Sequence, residues 1–229
     1  MKDIPAPEWL ERANRLALTG RLLSSTVHDV NNALQVIGGS LELLQMAPAA
    51  SEMVQRRITA IDTQTKRASK LLQDLTEFVR DQRLLAETID LKTLSEQVLA
   101  SRHYAVTKLR IAASVEGEPV KVSANPKHLQ QILLNLLINA EDARCSTLKI
   151  RVLKEQNRGI VAVESTVGDR GTGDGEPFDA AQGQRAGASP ENLGIGLEVS
   201  QWLAEKNSGS VTYEPGAGVS RATLSLPAV

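Results

Sequence analysis

One histidine, His28, lies beside residues that could direct its chemistry. Asp29 follows it directly, and Asn32 lies one turn further on the same face if the segment is helical. A neutral imidazole is nucleophilic at the ring nitrogen without a proton, and a nearby carboxylate can accept the other N–H and fix the tautomer. We therefore predict a reactive histidine held in one orientation. The alternative is an ordinary surface histidine on a helix.

Two asparagines and an aspartate share one face of a second candidate helix, residues 125–143. Asn135 and Asn139 are four residues apart, and Asp142 follows on the same side. Carboxamide oxygens can bind a small hard cation such as Mg²⁺, which prefers oxygen ligands and keeps several waters. The predicted cation ligands are Asn139 and Asn135, and the alternative is a merely solvated helix face.

Two glycine-rich loops follow this helix. The first, "GDRGTGDG", has a carboxylate that can accept a hydrogen bond from an amine, and glycines that allow close approach to the backbone. The second, "LGIGLEV", places glycines just before a helix N-terminus, which favours phosphate. An amine acceptor, a cation ligand and a phosphate site together match the needs of an adenine nucleotide. The loop residues are Asp169, Gly171, Gly173, Gly194 and Gly196.

Two long helices must position the histidine. Apolar residues of the first recur in alternating steps of four and three, and a similar pattern follows at 58–79, after a break at 47–50 where Pro48 ends the first helix. A two-helix hairpin cannot cover both of its apolar stripes, so we expect a second copy to pair with it in a four-helix bundle. His28 lies one step off the first stripe, where its ring can reach solvent. The stripe comprises Leu23, Val27, Val30, Leu34, Ile37, Leu41 and Leu44.

After residue 83 the pattern changes to alternating strands and helices with short connections. This mixture predicts an α+β layer with helices on one face. We therefore divide the chain into a helical hairpin, residues 1–83, and a second domain, residues 84–229. Helices are predicted at 89–102, 125–143 and 197–206, and strands at 109–115, 120–124, 147–155, 159–167, 209–215 and 220–227.

Composition excludes several classes of function. The 26 basic and 27 acidic residues give a net charge of −1, and only 3% of residues are aromatic, so neither nucleic acid nor a membrane surface is an expected partner. Charges and prolines near the N-terminus differ from a secretory signal, and no long apolar run predicts a membrane helix. A single cysteine, Cys145, cannot form an internal disulfide. We expect a cytoplasmic protein.

With these motifs in view, the chain resembles the conserved core of two-component sensor histidine kinases. "HDVNNAL" is similar to the phosphoacceptor box, "NPKHLQQILLNLLINAEDA" to the N-box, and "DRGTG" to the D-x-G-x-G box. "EPF" is similar to the lid motif, and "LGIGL" to the second glycine box. Each motif alone is weak, but their number and order are specific to the family.

The resemblance implies a fold and a reaction. The fold is a hairpin that forms a dimeric four-helix bundle, followed by an α/β sandwich that binds ATP, of the type shared by gyrase, Hsp90, histidine kinases and MutL. His28 would be the phosphoacceptor, with Asp29 as proton acceptor or tautomer holder. The phosphoryl group would pass from ATP to His28 and then to an aspartate in the receiver domain of a response regulator. Asn32 would position a water for phosphatase activity.

The resemblance also assigns the cofactor site. Asn139 would bind Mg²⁺ with Asn135 beside it, and Asp169 would accept the adenine amine. The remaining nucleotide-binding positions are Asp142, Gly171, Gly173, Arg185, Gly194 and Gly196. Only some 15 residues precede the predicted first helix, so either a sensor domain is missing or the signal comes from a separate sensor protein.

Three departures from the family pattern keep other functions open. Ala33 stands where the family often has proline, Asn192 replaces a glycine of the second glycine box, and Arg185 is the only cation of the lid. One alternative is a histidine phosphotransferase or pseudokinase that binds a receiver domain without using ATP. Another is an ATP-dependent binding switch without histidine chemistry. His103 and His128 are predicted to be solvated surface residues.

Overall fold

The computed structural model describes residues 8–45, 52–79, 85–167, 195–216 and 218–229. Contacts divide the chain into two compact units. One consists of residues 19–81, and the other of residues 82–229 together with the N-terminal residues up to Leu18. The described helices include none with the length and apolar character needed to cross a bilayer.

Two long helices account for the described part of the first unit. Helix α1 spans Glu8–Gln45 and helix α2 spans Glu52–Val79. The predicted helix end at Pro48 lies outside the described residues. Helix α1 is longer than the sequence pattern indicated, because it begins at Glu8, well before the first heptad residue, Leu23. Its first residues belong to the second unit.

The predicted apolar stripe of α1 remains largely open within one chain. Leu23, Val27, Leu34 and Leu41 are 48%, 49%, 54% and 48% exposed. A different line of α1, whose side chains are small apart from one leucine, is buried instead. Its members are Leu22, Thr26, Ala33 and Ser40. The chain itself therefore leaves a long apolar surface on this helix uncovered.

The described residues of the second unit form a mixed sheet, a separate two-stranded sheet and four further helices. The helices are α3 (Leu91–Ser101), α4 (His103–Lys108), α5 (Pro126–Asp142) and α6 (Gly196–Glu205). The strands are β1 (Glu87–Asp90), β2 (Ala112–Gly117), β3 (Lys121–Ala124), β4 (Thr147–Glu155), β5 (Arg158–Thr166), β6 (Ser210–Glu214) and β7 (Val219–Pro227).

The five-stranded sheet has the order β2-β4-β5-β7-β6, and β1 pairs with β3 in a separate two-stranded sheet. Strands β2 and β4 are parallel, and the other pairs of the main sheet are antiparallel. Helices α3, α5 and α6 contact this sheet. The predicted α/β layer with packed helices is confirmed, whereas β1 and α4 were not predicted.

Local sequence explains where α5 begins and how it packs. The Asn125 side-chain oxygen accepts a hydrogen bond from the Lys127 backbone N–H at 3.0 Å, and Pro126 occupies the first turn. Leu129, Leu133 and Leu137 follow at steps of four and are at most 1% exposed. Each such burial contributes about 1.5–3 kcal/mol, so the apolar face of α5 fixes the direction of its polar side chains.

The far end of α5 is held by a buried ion pair. Arg102, between α3 and α4, donates hydrogen bonds from Nε and Nη2 to the two carboxylate oxygens of Glu141. Their side chains are only 4% and 1% exposed. Because breaking such a pair leaves a buried charge uncompensated, the contact fixes the register of α5 against α3.

Candidate functional site

His28 projects from α1 with a partly exposed ring. Its side chain is 41% exposed, whereas that of Asp29 is 14% exposed. The Nδ1 atom lies 3.4 Å from Asp29 Oδ1 and 3.2 Å from Asn32 Nδ2. The predicted trio is therefore one contiguous group on one helix.

The two partners of Nδ1 favour opposite tautomers. A protonated Nδ1 donates to Asp29, whereas an unprotonated Nδ1 accepts a hydrogen bond from Asn32. In the first tautomer Nε2 carries no proton and is the nucleophilic atom. The arrangement can therefore stabilise either tautomer of the ring. The tautomer that donates to Asp29 is the one in which Nε2 can act as the nucleophile.

A second polar group lies in the other unit, around a cavity next to α5. The cavity is open to solvent and encloses about 330 Å³ when the solvent space at its mouth is counted. Its walls are mostly apolar, with four polar side chains, which suits a flat heterocycle. The lining residues are Leu136, Asn139, Ala140, Ala143, Val163, Ser165, Leu197, Tyr213, Ser220 and Ala222.

The two asparagines of α5 have different environments. Asn139 is partly exposed and lines the cavity. Asn135 is 3% exposed and its Oδ1 accepts a hydrogen bond from Asn14 at 3.0 Å. Asp142 lies half-buried at the end of α5. The roles of Asn139 and Asn135 as Mg²⁺ ligands both stay predictions.

The start of helix α6 lies against this group. Gly196 is its first residue, and Ile195 before it offers no side-chain oxygen to cap the free N–H groups. A Cβ atom on Gly196 would lie 3.3 Å from Asn135 Oδ1, a tight contact that explains the preference for glycine. Leu197, the next residue, lines the cavity. A phosphate at this N-terminus would lie close to the asparagine helix.

The remaining predicted nucleotide residues lie outside the described part of the chain. These are Asp169, Gly171, Gly173, Arg185 and Gly194. Their assignments stay predictions. The described portion fits a nucleotide by its apolar cavity, by Asn139 at the cavity wall and by the uncapped helix N-terminus.

Sequence reasoning missed several residues of the cavity. Ser165, Tyr213 and Ser220 line it from β5, β6 and β7. Ser165, at 7% exposure, is a polar residue in a strand that otherwise alternates apolar side chains, a signal that could have identified it. Ser220 lies beside Ser165 because β7 pairs with β5, and Tyr213 lies near them because β6 pairs with β7.

The prediction that His128 is a solvated surface residue is wrong. His128 is half-buried, and its Nδ1 lies 3.1 Å from Asn207 Nδ2. Burial, reinforced by the positive charges of Lys206 and Arg15, lowers the pKa of His128 to about 4. His128 is therefore neutral near pH 7, and Nδ1 accepts from the Asn207 amide. His103 is exposed on α4, as predicted.

Comparison with known families matches both units. Residues 18–84 match the His Kinase A (phospho-acceptor) domain, and residues 124–229 match the histidine kinase-, DNA gyrase B- and HSP90-like ATPase. The two matches occur in the order seen in kinase cores and contain His28 and the α5 asparagines. The chain has the core of a two-component histidine kinase and belongs to that family.

Curated relatives support this placement. The signal transduction histidine-protein kinase AtoS of Escherichia coli strain K12 is 27% identical over 230 residues, which is 95% of this chain and 36% of AtoS. The sensor histidine kinase ZraS of Klebsiella oxytoca is 27% identical over 92% of this chain and 46% of ZraS. The chain thus spans less than half the length of these relatives.

One solved structure resembles the ATP-binding part in fold. The catalytic domain of histidine kinase ThkA aligns with a TM-score of 0.50 at 17% identity, and the alignment covers 63% of this chain and 96% of that domain. At this identity the likeness supports the fold alone. It agrees with the α/β layer described above.

Proposed function

We propose that this chain is an ATP-dependent autokinase that phosphorylates His28 and passes the phosphoryl group to an aspartate of a response-regulator receiver domain. The observation that carries the proposal is the half-exposed His28 ring, whose Nδ1 lies 3.4 Å from the Asp29 carboxylate. When Nδ1 donates its proton to this contact, Nε2 carries no proton, which is the state that phosphoryl transfer requires.

The transfer step needs little from the protein beyond alignment and charge. His28 Nε2 attacks the terminal phosphorus of ATP, the N–P bond forms, and the bond to the ADP oxygen breaks. The ring then carries positive charge, with its proton on Nδ1. The Asp29 carboxylate stabilises this charge by accepting the Nδ1–H hydrogen bond. Asp29 thus favours the tautomer in which Nε2 is free to attack, and it stabilises the charge that the attack creates.

The cofactors of the proposed reaction are ATP and Mg²⁺. The adenine would occupy the cavity next to α5, Asn139 would bind Mg²⁺, and the phosphates would lie at the N-terminus of α6 near Gly196. Bound Mg²⁺ would neutralise part of the negative charge on the transferred phosphoryl group. Asp169, Asp142 and the other predicted loop residues would complete this site.

A homodimer and a receiver domain are the proposed partners. The exposed stripe of α1 at Leu23, Val27, Leu34 and Leu41 supports pairing of two hairpins, because each hairpin leaves its apolar line uncovered. A separate sensor protein would supply the stimulus. We infer a cytoplasmic site of reaction, since ATP is the donor and the single cysteine, Cys145, is buried.

Asn32 supports a second reaction at the same histidine. Its Nδ2 lies 3.2 Å from His28 Nδ1 and its side chain is exposed, so it can hold a water beside a phosphorylated partner. We propose that Asn32 assists removal of the phosphoryl group from the response regulator. This activity would use the helix that carries His28.

Incubation of the protein with Mg²⁺ and ATP labelled at the γ-phosphate tests the autokinase. We expect an acid-labile, alkali-stable label on the wild-type protein and none on His28→Ala. The matched control is His103→Ala, at an exposed histidine of α4, which should label as the wild type does. Absence of label on the wild-type protein would contradict the autokinase and support a phosphotransferase instead.

A further inference from the structure

The first residues of α1 form a distinct contact in the ATP-binding unit. We call residues Glu8–Leu18 the latch segment. Leu10, Asn14 and Leu18 recur at steps of four and are 8%, 5% and 3% exposed. On the opposite side of the segment, Trp9 and Leu16 are 66% and 58% exposed. The segment is therefore bound along one face.

Asn14 is the polar centre of this contact. Its Nδ2 donates to Asn135 Oδ1 at 3.0 Å, and its Oδ1 accepts from Asn135 Nδ2 at 3.0 Å, so the two carboxamides pair reciprocally. Gln131 Nε2 also donates to Asn14 Oδ1 at 2.8 Å and to the Glu11 backbone oxygen at 3.2 Å. At the edge, Lys206 Nζ lies 3.7 Å from Glu11 Oε2.

The orientation of the Asn135 carboxamide follows from its neighbours. Asn135 Nδ2 lies 3.0 Å from the Gly196 backbone oxygen, which can only accept a hydrogen bond. The atom that faces Gly196 must therefore be the nitrogen, and Oδ1 must face Asn14. Ser200 Oγ lies 3.0 Å from the same nitrogen and donates to Gly196 O, so the pairing continues into helix α6.

A cation cannot use the Asn135 oxygen while the latch segment is in place. A Mg²⁺ ligand must come within about 2.1 Å of the ion, which keeps several waters of its own. Asn135 is 3% exposed, and Asn14 lies against the oxygen in question. The paired state and a metal-bound Asn135 therefore exclude each other, whereas Asn139 remains at the cavity wall in either case.

We propose that the latch segment regulates the nucleotide site and that Asn14 acts by withholding the Asn135 oxygen from Mg²⁺. The inference rests on the proposed function, since it assigns Asn135 to the metal site only when the segment is released. Asn135 also donates a hydrogen bond to the Gly196 backbone oxygen at the start of α6, where the phosphates would bind. Movement of the segment thereby changes affinity for the Mg²⁺–nucleotide complex.

The test is calorimetric binding of a non-hydrolysable ATP analogue, with Mg²⁺ and again with EDTA, to the full chain. We expect Asn14→Ala to bind the analogue about fivefold to tenfold tighter than wild type in Mg²⁺, with little change in EDTA. Leu10→Asp, which weakens the same contact without touching the carboxamides, should act likewise. Arg12→Ala, an exposed residue of the same segment, is the matched control and should bind as wild type does.

The outcomes separate the latch from the nucleotide site itself. The variants could bind the analogue in Mg²⁺ as tightly as wild type does, or could lose affinity to the same extent with and without Mg²⁺. Either result gives Asn14 a purely structural role and overturns the latch alone. Failure of every protein, wild type included, to bind the analogue overturns the proposed function and the latch with it. A Mg²⁺-dependent gain in both variants supports the latch.

Discussion

At the scale of single residues, the proposed chemistry depends on how Asp29 and Asn32 share one nitrogen of His28. Both contact Nδ1, at 3.4 Å and 3.2 Å, and they favour opposite tautomers. Proximity in sequence made this trio predictable, because neighbours at i+1 and i+4 on a helix reach one ring. The difference between Asn135 and Asn139 was not predictable, since it arises from Asn14, more than a hundred residues away in the chain.

Replacement of Asp29 by asparagine tests the tautomer assignment. Asp29→Asn removes the negative charge that stabilises the phosphorylated imidazolium, so we expect the initial rate of autophosphorylation to fall about a hundredfold or more. Affinity for nucleotide should not change. Glu42→Gln, at an exposed carboxylate of the same helix, should keep the wild-type rate. An unchanged rate in Asp29→Asn would remove Asp29 from the mechanism.

His128 should make the stability of the protein depend on pH. Its pKa is lowered to about 4 in the folded state, so between pH 6.5 and 4 the unfolded chain binds a proton that the folded chain does not. Unfolding free energy should therefore decrease as the pH falls through this window. His128→Gln, measured by urea unfolding at pH 7 and pH 5, should lose part of this decrease. His103→Gln should retain it, and equal pH dependence in both variants would refute the assignment.

At the scale of elements, the spacing of apolar residues and the capping residues were sufficient to predict long helices and strands with alternating apolar side chains. Asn125 and Pro126 predicted the start of α5, and β4 and β5 follow the alternation of their apolar residues. Helix α4 has six residues, too few for a periodic pattern, and β1 has four residues that depend on pairing with β3. Both elements are stabilised by distant contacts, so local sequence could not reveal them.

The exposed stripe of α1 leads to a prediction about assembly. Leu34 is 54% exposed in one chain and should be buried between two copies. Leu34→Lys should raise the dimer dissociation constant about a hundredfold or more, because two buried leucines together contribute about 3 kcal/mol or more. Light scattering after size-exclusion chromatography measures the change. Gln35→Lys adds the same charge at the adjacent exposed position and should leave the dimer intact.

At the scale of the whole molecule, the chain consists of a hairpin unit that contains His28 and an α/β unit that contains the cavity next to α5. The sequence pattern predicted a boundary between a hairpin, residues 1–83, and a second domain, residues 84–229, and these bounds stay a prediction. The grouping of the latch segment with the α/β unit was not predicted. This grouping depends on contacts between the latch segment and α5, which lie far apart in the sequence and share no motif.

The position of the phosphoryl group on the ring tests the central claim most directly. Heteronuclear phosphorus NMR of the protein after reaction with Mg²⁺ and ATP distinguishes phosphorylation at Nε2 from phosphorylation at Nδ1. The account predicts one phosphohistidine, at His28, with the phosphorus on Nε2 and a proton on Nδ1. Phosphorylation at Nδ1, at His103 or His128, or at no histidine would contradict it.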